Sequence, residues 1–191
     1  MGIRSKTEEK LLDAADELFF THGIAATPVD VILDRAGVSA ATLYRGYPSK
    51  EALVAAALNR RHKAWLAAWD RAIERQATAR GKLLAVFDAL DEFMASPGGA
   101  RWCAFLGSAA EYADAPAGIL EAVRADTNSF QTRLAEFAVP VVGRQAQALA
   151  EELLLVVTGV LAMRLREAGQ GTTTARRVAS FLIDTKVGST E

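Results

Sequence analysis

Cysteine and long apolar runs are both scarce in this chain. Cys103 is the single cysteine among 191 residues, which excludes an intramolecular disulfide and is typical of a reducing compartment. The longest apolar run, over 153–163, is interrupted by Thr158 and Gly159 and falls far short of the ~20 residues that span a bilayer. The N-terminal residues form no apolar signal-peptide core. We therefore expect a soluble, cytoplasmic protein without a membrane partner.

An excess of one charge is also missing. The 22 lysines and arginines nearly balance the 23 aspartates and glutamates, so the formal net charge is −1. Through Lys63 the chain holds nine basic and eight acidic residues, so its N-terminal part is not basic either. Any affinity for nucleic acid must therefore come from a few well-placed donors rather than from a general positive field.

Groups that carry catalysis are few. The two histidines, His22 and His62, and the lone Cys103 lie far apart, and no spacing among them is typical of a catalytic triad or of metal ligands. We expect no enzyme activity, no cofactor and no metal site. His22 is interpreted as a helix-end residue, and His62 as a residue on an exposed helix face.

Helical periodicity is what the chain has in abundance. Nearly every segment repeats its apolar residues at helical spacing, no window alternates at period two, and the breaks are short and carry Gly or Pro. The fold is therefore predicted to be all-α, with about nine helices. Residues 1–48 are predicted to form a three-helix module and residues 49–191 a second helical domain, with a fourth helix, capped by Ser49, bridging the two.

Capping residues predict where the helices begin and end. Ser5 and Glu8 have the spacing of a capping box, and Thr27 followed by Pro28 is typical of a helix start. Gly37 is predicted to end the second helix. Later helices are predicted over 79–95, 101–112, 116–138, 144–168 and 173–186, with an interruption at Pro140.

The second and third helices form a helix-turn-helix, in which the second member of the pair enters the major groove of DNA. Gly37 permits the sharp turn, Val38 fills the angle between the helices, and Ser39 caps the recognition helix. The residues predicted to face the groove are Ser39, Ala40, Ala41, Thr42, Tyr44 and Arg45. The residues predicted to hold phosphates around that helix are Thr27, Tyr44, Tyr47 and Lys50.

These motifs resemble the DNA-binding signature of the tetracycline-repressor (TetR) family. The resemblance rests on Ala36-Gly37-Val38-Ser39, Thr42-Leu43-Tyr44-Arg45 and Tyr47-Pro48-Ser49-Lys50-Glu51-Ala52-Leu53, with upstream support from Leu12-Asp13-Ala14-Ala15, Leu18-Phe19, His22-Gly23 and Thr27. It covers about 6–58 and departs from the family pattern at Leu33-Asp34 and at Gly46, where the glycine is predicted to loosen the end of the recognition helix. The resemblance implies a homodimer that binds an inverted repeat in double-stranded DNA, usually as a repressor, and a C-terminal domain that dimerises and binds a small-molecule effector.

Aromatic residues in the second domain are candidates for an effector pocket. An ordinary aromatic core explains any one of them equally simply, but together they can line an apolar cavity between helices. The predicted lining is Trp65, Trp69, Phe87, Trp102, Cys103 and Tyr112. Because we expect no cluster of buried cations in this lining, we expect a neutral or weakly polar effector, aromatic or lipophilic.

Two C-terminal helices are apolar over much of their surface, which requires burial on two sides. We therefore predict a two-fold, four-helix interface between two copies of the chain. The residues assigned to it are Leu149, Leu153, Val156, Val160, Val178, Phe181 and Leu182.

Three functions compete at this point. A ligand-responsive DNA-binding repressor is favoured by Tyr44, Tyr47 and Lys50. An interaction protein whose helix-turn-helix no longer binds DNA stays open because the N-terminal charge is near neutral. A helical bundle that binds or converts a small molecule is disfavoured, at least as an enzyme, because no nucleophile lies beside a base.

Overall fold

The computed structural model describes residues 3–96, 103–112, 114–167 and 169–188, and these residues form α-helices and no strand. The all-α prediction is confirmed. The helices are α1 (Ser5–His22), α2 (Val29–Ala36), α3 (Ala40–Gly46), α4 (Lys50–Glu74), α5 (Ala79–Ala95), α6 (Ala104–Glu111), α7 (Ala117–Val142), α8 (Ala146–Arg166) and α9 (Thr173–Gly188). No helix in these described ranges is long and apolar enough to cross a membrane.

The chain divides into two compact units. The first unit comprises residues 1–63 and 100–124, and the second comprises residues 64–99 and 125–191. The unit that contains the helix-turn-helix therefore extends beyond 1–48. It also holds the first half of α4, the whole of α6 and the start of α7.

The first unit has one apolar core, to which each of its helices contributes. Its members are at most 9% exposed, and fully burying a large apolar side chain stabilises a fold by about 1.5–3 kcal/mol. The large core residues are Leu11, Phe19, Phe20, Ile24, Ile32, Leu43, Leu53, Leu58, Phe105 and Ile119. This core fixes α3 on α1, α2 and α4.

The second unit has its own core, in which aromatic residues from α4, α5 and α7 meet aliphatic residues from α8 and α9. Its large members are Trp65, Trp69, Leu83, Phe87, Phe130, Leu134, Leu149, Leu153 and Ile183. Charged pairs connect the helices that surround this core. Arg176 donates to Asp88 at 2.6 Å, and the nearly buried Arg164 donates to Asp91 at 2.7 Å.

Two predicted caps are wrong by one position. Arg4 rather than Ser5 precedes the first helical residue and no side chain caps α1, so the Ser5 hydroxyl donates to Glu9 Oε1 at 3.3 Å instead. Pro28 rather than Thr27 precedes α2. The Thr27 hydroxyl donates backwards to the Gly23 carbonyl at 2.7 Å, so it is not available to the N-terminus of α2.

The predicted interruption at Pro140 is also wrong. Helix α7 continues through Pro140 to Val142. Proline removes one backbone donor, but here it does so in the last turn, where only two more residues follow. Helix α8 begins at Ala146 because 143–145 form a 3₁₀ turn, for which Gly143 adopts a φ of 55°.

Candidate nucleic-acid interface

The turn between α2 and α3 has the geometry that the sequence predicts. Gly37 is left-handed, with φ 65° and ψ 41°, and its N–H reaches the carbonyls that end α2. Ser39 Oγ accepts a hydrogen bond from the Thr42 N–H at 3.2 Å, and the two hydroxyls lie 2.9 Å apart. Leu43 is fully buried and holds α3 on the core. The recognition helix is thus capped at its start and anchored in its middle.

The outer face of α3 is open to solvent. Ser39, Ala40, Ala41 and Arg45 are exposed, and Tyr44 is 52% exposed. Within the described ranges, neither the Arg45 guanidinium nor the Tyr44 hydroxyl has a hydrogen-bond or ion-pair partner. Thr42 is half-buried because its hydroxyl turns toward the Ser39 cap. Small side chains on this face permit close approach to base edges, and Arg45 supplies the long donor.

Three of the four side chains predicted to hold phosphates are engaged inside the chain. Thr27 is buried and donates to Gly23. The Tyr47 hydroxyl donates to Glu8 Oε1 at 2.8 Å, and burial together with the Glu8 carboxylate raises the pKa of Tyr47 well above its usual range. Lys50 Nζ donates to the Ile24 carbonyl at 2.5 Å. In this structure Tyr47 and Lys50 tie the start of α4 to α1 and to the α1–α2 turn, and Tyr44 alone of the four projects outward.

Glu111, at the end of α6, is a residue that the sequence analysis missed. Its Oε1 accepts the Ile24 N–H at 3.1 Å and its Oε2 accepts the Ala25 N–H at 2.8 Å. Lys50 donates to the Ile24 carbonyl, so side chains bind both the N–H groups and a carbonyl group of the α1–α2 turn. The backbone at Gly23, with φ 95°, brings the turn close to the Glu111 carboxylate. No local motif marks this contact, since the partners are 86 and 87 positions apart.

Gly46 has a packing role rather than the predicted loosening role. It is the last residue of α3, and a Cβ placed on it would overlap the side chain of Ile3. The glycine therefore makes room for Ile3, which lies two residues before the start of α1. The expected loosening of the helix end is wrong, because α3 includes Gly46 and closes with the Tyr47 N–H donating to the Leu43 carbonyl at 2.8 Å.

The residues predicted to line an effector pocket fall in both units. Trp65, Trp69 and Phe87 lie in the core of the second unit, whereas Cys103 and Tyr112 pack against the core of the first. Trp102 lies outside the described residues. Burial, together with the nearby Glu51 and Glu111 carboxylates, raises the pKa of Tyr112.

The residues predicted for a dimer interface separate into buried and exposed groups. Leu149 and Leu153 are fully buried in the core of the second unit, so they have no surface to offer a second chain. Val156, Val160 and Leu182 are half-buried against the same core. The large exposed apolar side chains described on α8 and α9 are Leu155 at 74%, Phe181 at 70%, Leu165 at 46%, Val187 at 45%, and Met163 and Val178 at 42% each.

The histidines contribute no metal site that the described residues reveal. In those ranges no group of three or more metal-ligating side chains comes together. His22 ends α1, as predicted, and its Nδ1 lies 2.9 Å from the Thr21 hydroxyl. The prediction for His62 is wrong. Its ring is half-buried and packs edge-on against Phe105, with centroids 6.2 Å apart.

Residues 11–57 match a family described as "Bacterial regulatory proteins, tetR family". The match contains the whole turn, the recognition helix and the first turns of α4. It coincides with the segment on which the resemblance in the sequence rests.

Known proteins resemble this chain over longer stretches. SCO4454, a TetR-family transcriptional regulator from Streptomyces coelicolor, has a solved structure with a TM-score of 0.86, 27% identity, and coverage of 96% of this chain and 91% of that one. The reduced form of NemR from E. coli shares the fold, with a TM-score of 0.76, 19% identity, and coverage of 92% and 97%. The HTH-type transcriptional activator FasR of Mycolicibacterium smegmatis is 34% identical over 91 residues, a match that spans 48% of this chain and 42% of that protein's length.

Proposed function

We propose that this chain is a transcriptional regulator of the TetR family, and that it is a repressor that binds an inverted-repeat operator as a homodimer. A small-molecule effector would then release it from DNA. The exposed outer face of α3 carries this proposal. Leu43 anchors α3 and Ser39 caps it, so the helix that carries Arg45 and Tyr44 is already ordered in the free protein. The entropy cost of ordering this helix on DNA binding is therefore small.

The predicted contacts divide by what they can do. Arg45 can donate to a guanine edge or to a phosphate, whereas Ser39, Ala40 and Ala41 allow close approach and contact thymine methyl groups. Tyr47 and Lys50 position the start of α4 in the free protein. Because Lys50 is only half-buried, its ammonium can exchange the Ile24 carbonyl for a phosphate when DNA arrives.

Selection from a random-sequence DNA pool followed by mobility-shift titration tests the DNA-binding proposal. We expect one preferred inverted repeat, and we expect Arg45→Ala to weaken binding by about 1–3 kcal/mol. Arg35→Ala is the matched control, because Arg35 is also exposed but pairs with Glu17 at 2.7 Å. A protein that selects no sequence would support instead an interaction module with a non-functional helix-turn-helix, and two variants that weaken binding equally would contradict the role assigned to Arg45.

Homodimerisation follows from the operator that we propose. One chain carries one recognition helix, and an inverted repeat presents two half-sites about 34–36 Å apart. The exposed apolar residues of α8 and α9, among them Leu155, Val178 and Phe181, supply a surface that a second copy can bury. Gly159, with no heavy atom within 4 Å of an added Cβ, leaves room for close approach of two helices.

Light scattering at micromolar concentration tests the interface. We expect a dimer for the wild type and a monomer for Phe181→Arg, because the arginine would place two charges in an apolar interface. Val139→Arg is the control, since Val139 is 57% exposed on α7 of the same unit. A wild-type monomer, or a Phe181→Arg variant that remains dimeric, would contradict the proposed interface.

The direction of regulation is tested by a reporter driven from the selected operator. We expect the reporter to rise when the regulator's gene is deleted, since repression is the family's usual mode. FasR, the relative at 34% identity, is named an activator, and a fall in the reporter would assign that role here. A small apolar compound that restores expression would identify the effector.

A further inference from the structure

Four buried N–H groups among the described residues of the second unit lack acceptors, and three of them lie close together. These three are the indole Nε1 of Trp65, the indole Nε1 of Trp69 and the Nε of Arg133, whereas the fourth, Nη1 of Arg164, belongs to the side chain that pairs with Asp91. Trp65 is 4% exposed and Trp69 is fully buried, so water does not readily reach either indole. Buried donors in folded proteins are paired in the large majority of cases, and each exception calls for a physical explanation.

The three donors belong to one aromatic cluster. The rings of Trp65 and Trp69, one turn apart on α4, have centroids 5.5 Å apart. Phe130 of α7 stacks on Trp65 at 5.2 Å with an interplanar angle of 13°, and lies 5.1 Å from Trp69. The Arg133 guanidinium lies over the Trp69 ring at 4.9 Å. The cluster is rich in flat apolar surface and in donors, and poor in acceptors.

Neighbouring groups do not meet this need. The Arg133 guanidinium pairs with Asp70 through Nη2, which leaves its Nε unsatisfied. Contacts between an N–H and an aromatic face are second-order and do not replace an oxygen acceptor. Asp70 also balances the charge of Arg133, so the cluster as a whole offers hydrogen-bond donors without a net positive charge.

We propose that this cluster is the effector site, and that its ligand is a flat aromatic compound bearing a neutral carbonyl group. The proposal rests on the proposed function for the ligand's role in release from DNA. The carbonyl oxygen accepts from the indole N–H groups, and the ring takes the stacking position beside Trp65 that Phe130 occupies in this structure. A carboxylate is disfavoured because Asp70 already neutralises Arg133.

Both indoles lie on α4, the helix that begins at Lys50 beside the α1–α2 turn. A ligand that rearranges Trp65 and Trp69 therefore acts on the same helix that holds that turn through Lys50. Helix α4 is therefore a continuous connection between the proposed ligand site and the DNA-binding module.

Nitrogen-15 NMR of the full-length chain tests the site directly. The chain has three tryptophans, so three indole signals can be assigned with single Trp→Phe variants. The probes are matched pairs, acetophenone with ethylbenzene and 2-acetylnaphthalene with 2-ethylnaphthalene. We expect the ketones to move the indole N–H signal of Trp65 or Trp69 downfield and the hydrocarbons not to do so.

Affinities of the same pairs separate hydrogen bonding from packing. Trp65→Phe and Trp69→Phe keep a ring but remove the donor. We expect at least one of them to weaken the ketone roughly threefold to tenfold relative to its hydrocarbon partner. Lost packing alone would weaken both members of a pair equally.

The site is overturned if no ketone shifts either indole signal beyond its hydrocarbon partner, or if both variants keep the wild-type preference for ketones. Release from DNA is measured separately, by mobility shift with the same compounds. Indole shifts without release would contradict the effector role in the proposed function and leave the site standing. Release without indole shifts would overturn the site alone.

Discussion

Replacing Glu111 with alanine is a sharp test of how the recognition helix is positioned. The substitution removes both acceptors of the α1–α2 turn, at 3.1 Å from the Ile24 nitrogen and 2.8 Å from the Ala25 nitrogen. A hydrogen bond to a charged group contributes about 1.5–3 kcal/mol when buried. The Ile24 bond is only partly buried and the Ala25 bond is exposed, so water can replace part of each. We expect a total loss of about 1–2 kcal/mol in the free energy of unfolding.

The effect should be concentrated at the turn. Amide exchange at Ile24 and Ala25 should accelerate by roughly fivefold to thirtyfold, because 1.4 kcal/mol corresponds to a factor of ten. DNA affinity should also fall, by about threefold to tenfold, since α2 and α3 follow directly from this turn and binding would have to order it again. The effects of Glu111→Gln on exchange and on DNA affinity should lie between those of the wild type and of Glu111→Ala. The glutamine amide keeps one acceptor oxygen but places its NH₂ group opposite the other backbone donor.

Hydrogen exchange by mass spectrometry, urea unfolding and DNA titration are the measurements. The control is Glu121→Ala, which removes an exposed carboxylate from α7 of the same unit, without a hydrogen-bond partner in the described ranges. If Glu111→Ala behaves like Glu121→Ala in exchange and in DNA affinity, the carboxylate does not hold the turn and the reasoning is refuted.

Local features of the helix-turn-helix were predictable because each follows from a few adjacent residues. Gly37 takes the left-handed conformation that a tight turn needs, and Ser39 accepts the Thr42 N–H as an N-cap should. The caps at Ser5 and Thr27 were misplaced because a hydroxyl near a helix start can bond in several directions. The Thr27 hydroxyl donates to the Gly23 carbonyl, and this carbonyl comes within hydrogen-bond distance only in the folded turn.

Long-range contacts could not be predicted from periodicity. The pattern of α8 shows apolar residues on more than one face, but not which face the chain's own core uses. The core takes Leu149 and Leu153, and Leu155 is left outside. The engagement of Tyr47 and Lys50 inside the chain likewise depends on Glu8 and Ile24, whose proximity is created by the tertiary fold.

Two further predictions concern contacts around α3. Gly46→Ala should raise the free energy of unfolding by about 0.5–1 kcal/mol only in an Ile3→Ala background, because alanine favours the helix while Ile3 occupies the space of the added methyl group. A urea-unfolding double-mutant cycle measures this, and equal effects in both backgrounds would show that Ile3 does not pack there. Tyr47→Phe should flatten the alkaline loss of stability. The pKa of Tyr47 is raised by burial and by Glu8, so the folded state keeps its proton while the unfolded chain loses it above about pH 10. The stabilising contribution is therefore complete below about pH 10 and declines as the pH rises, by up to about 1.4 kcal/mol per pH unit. Unfolding titrations between about pH 9 and 11 should show a shallower decline for Tyr47→Phe than for the wild type or for Tyr44→Phe, whose ring is half-exposed. Identical slopes for all three proteins would mean that the buried phenol is not held in its neutral form by the fold.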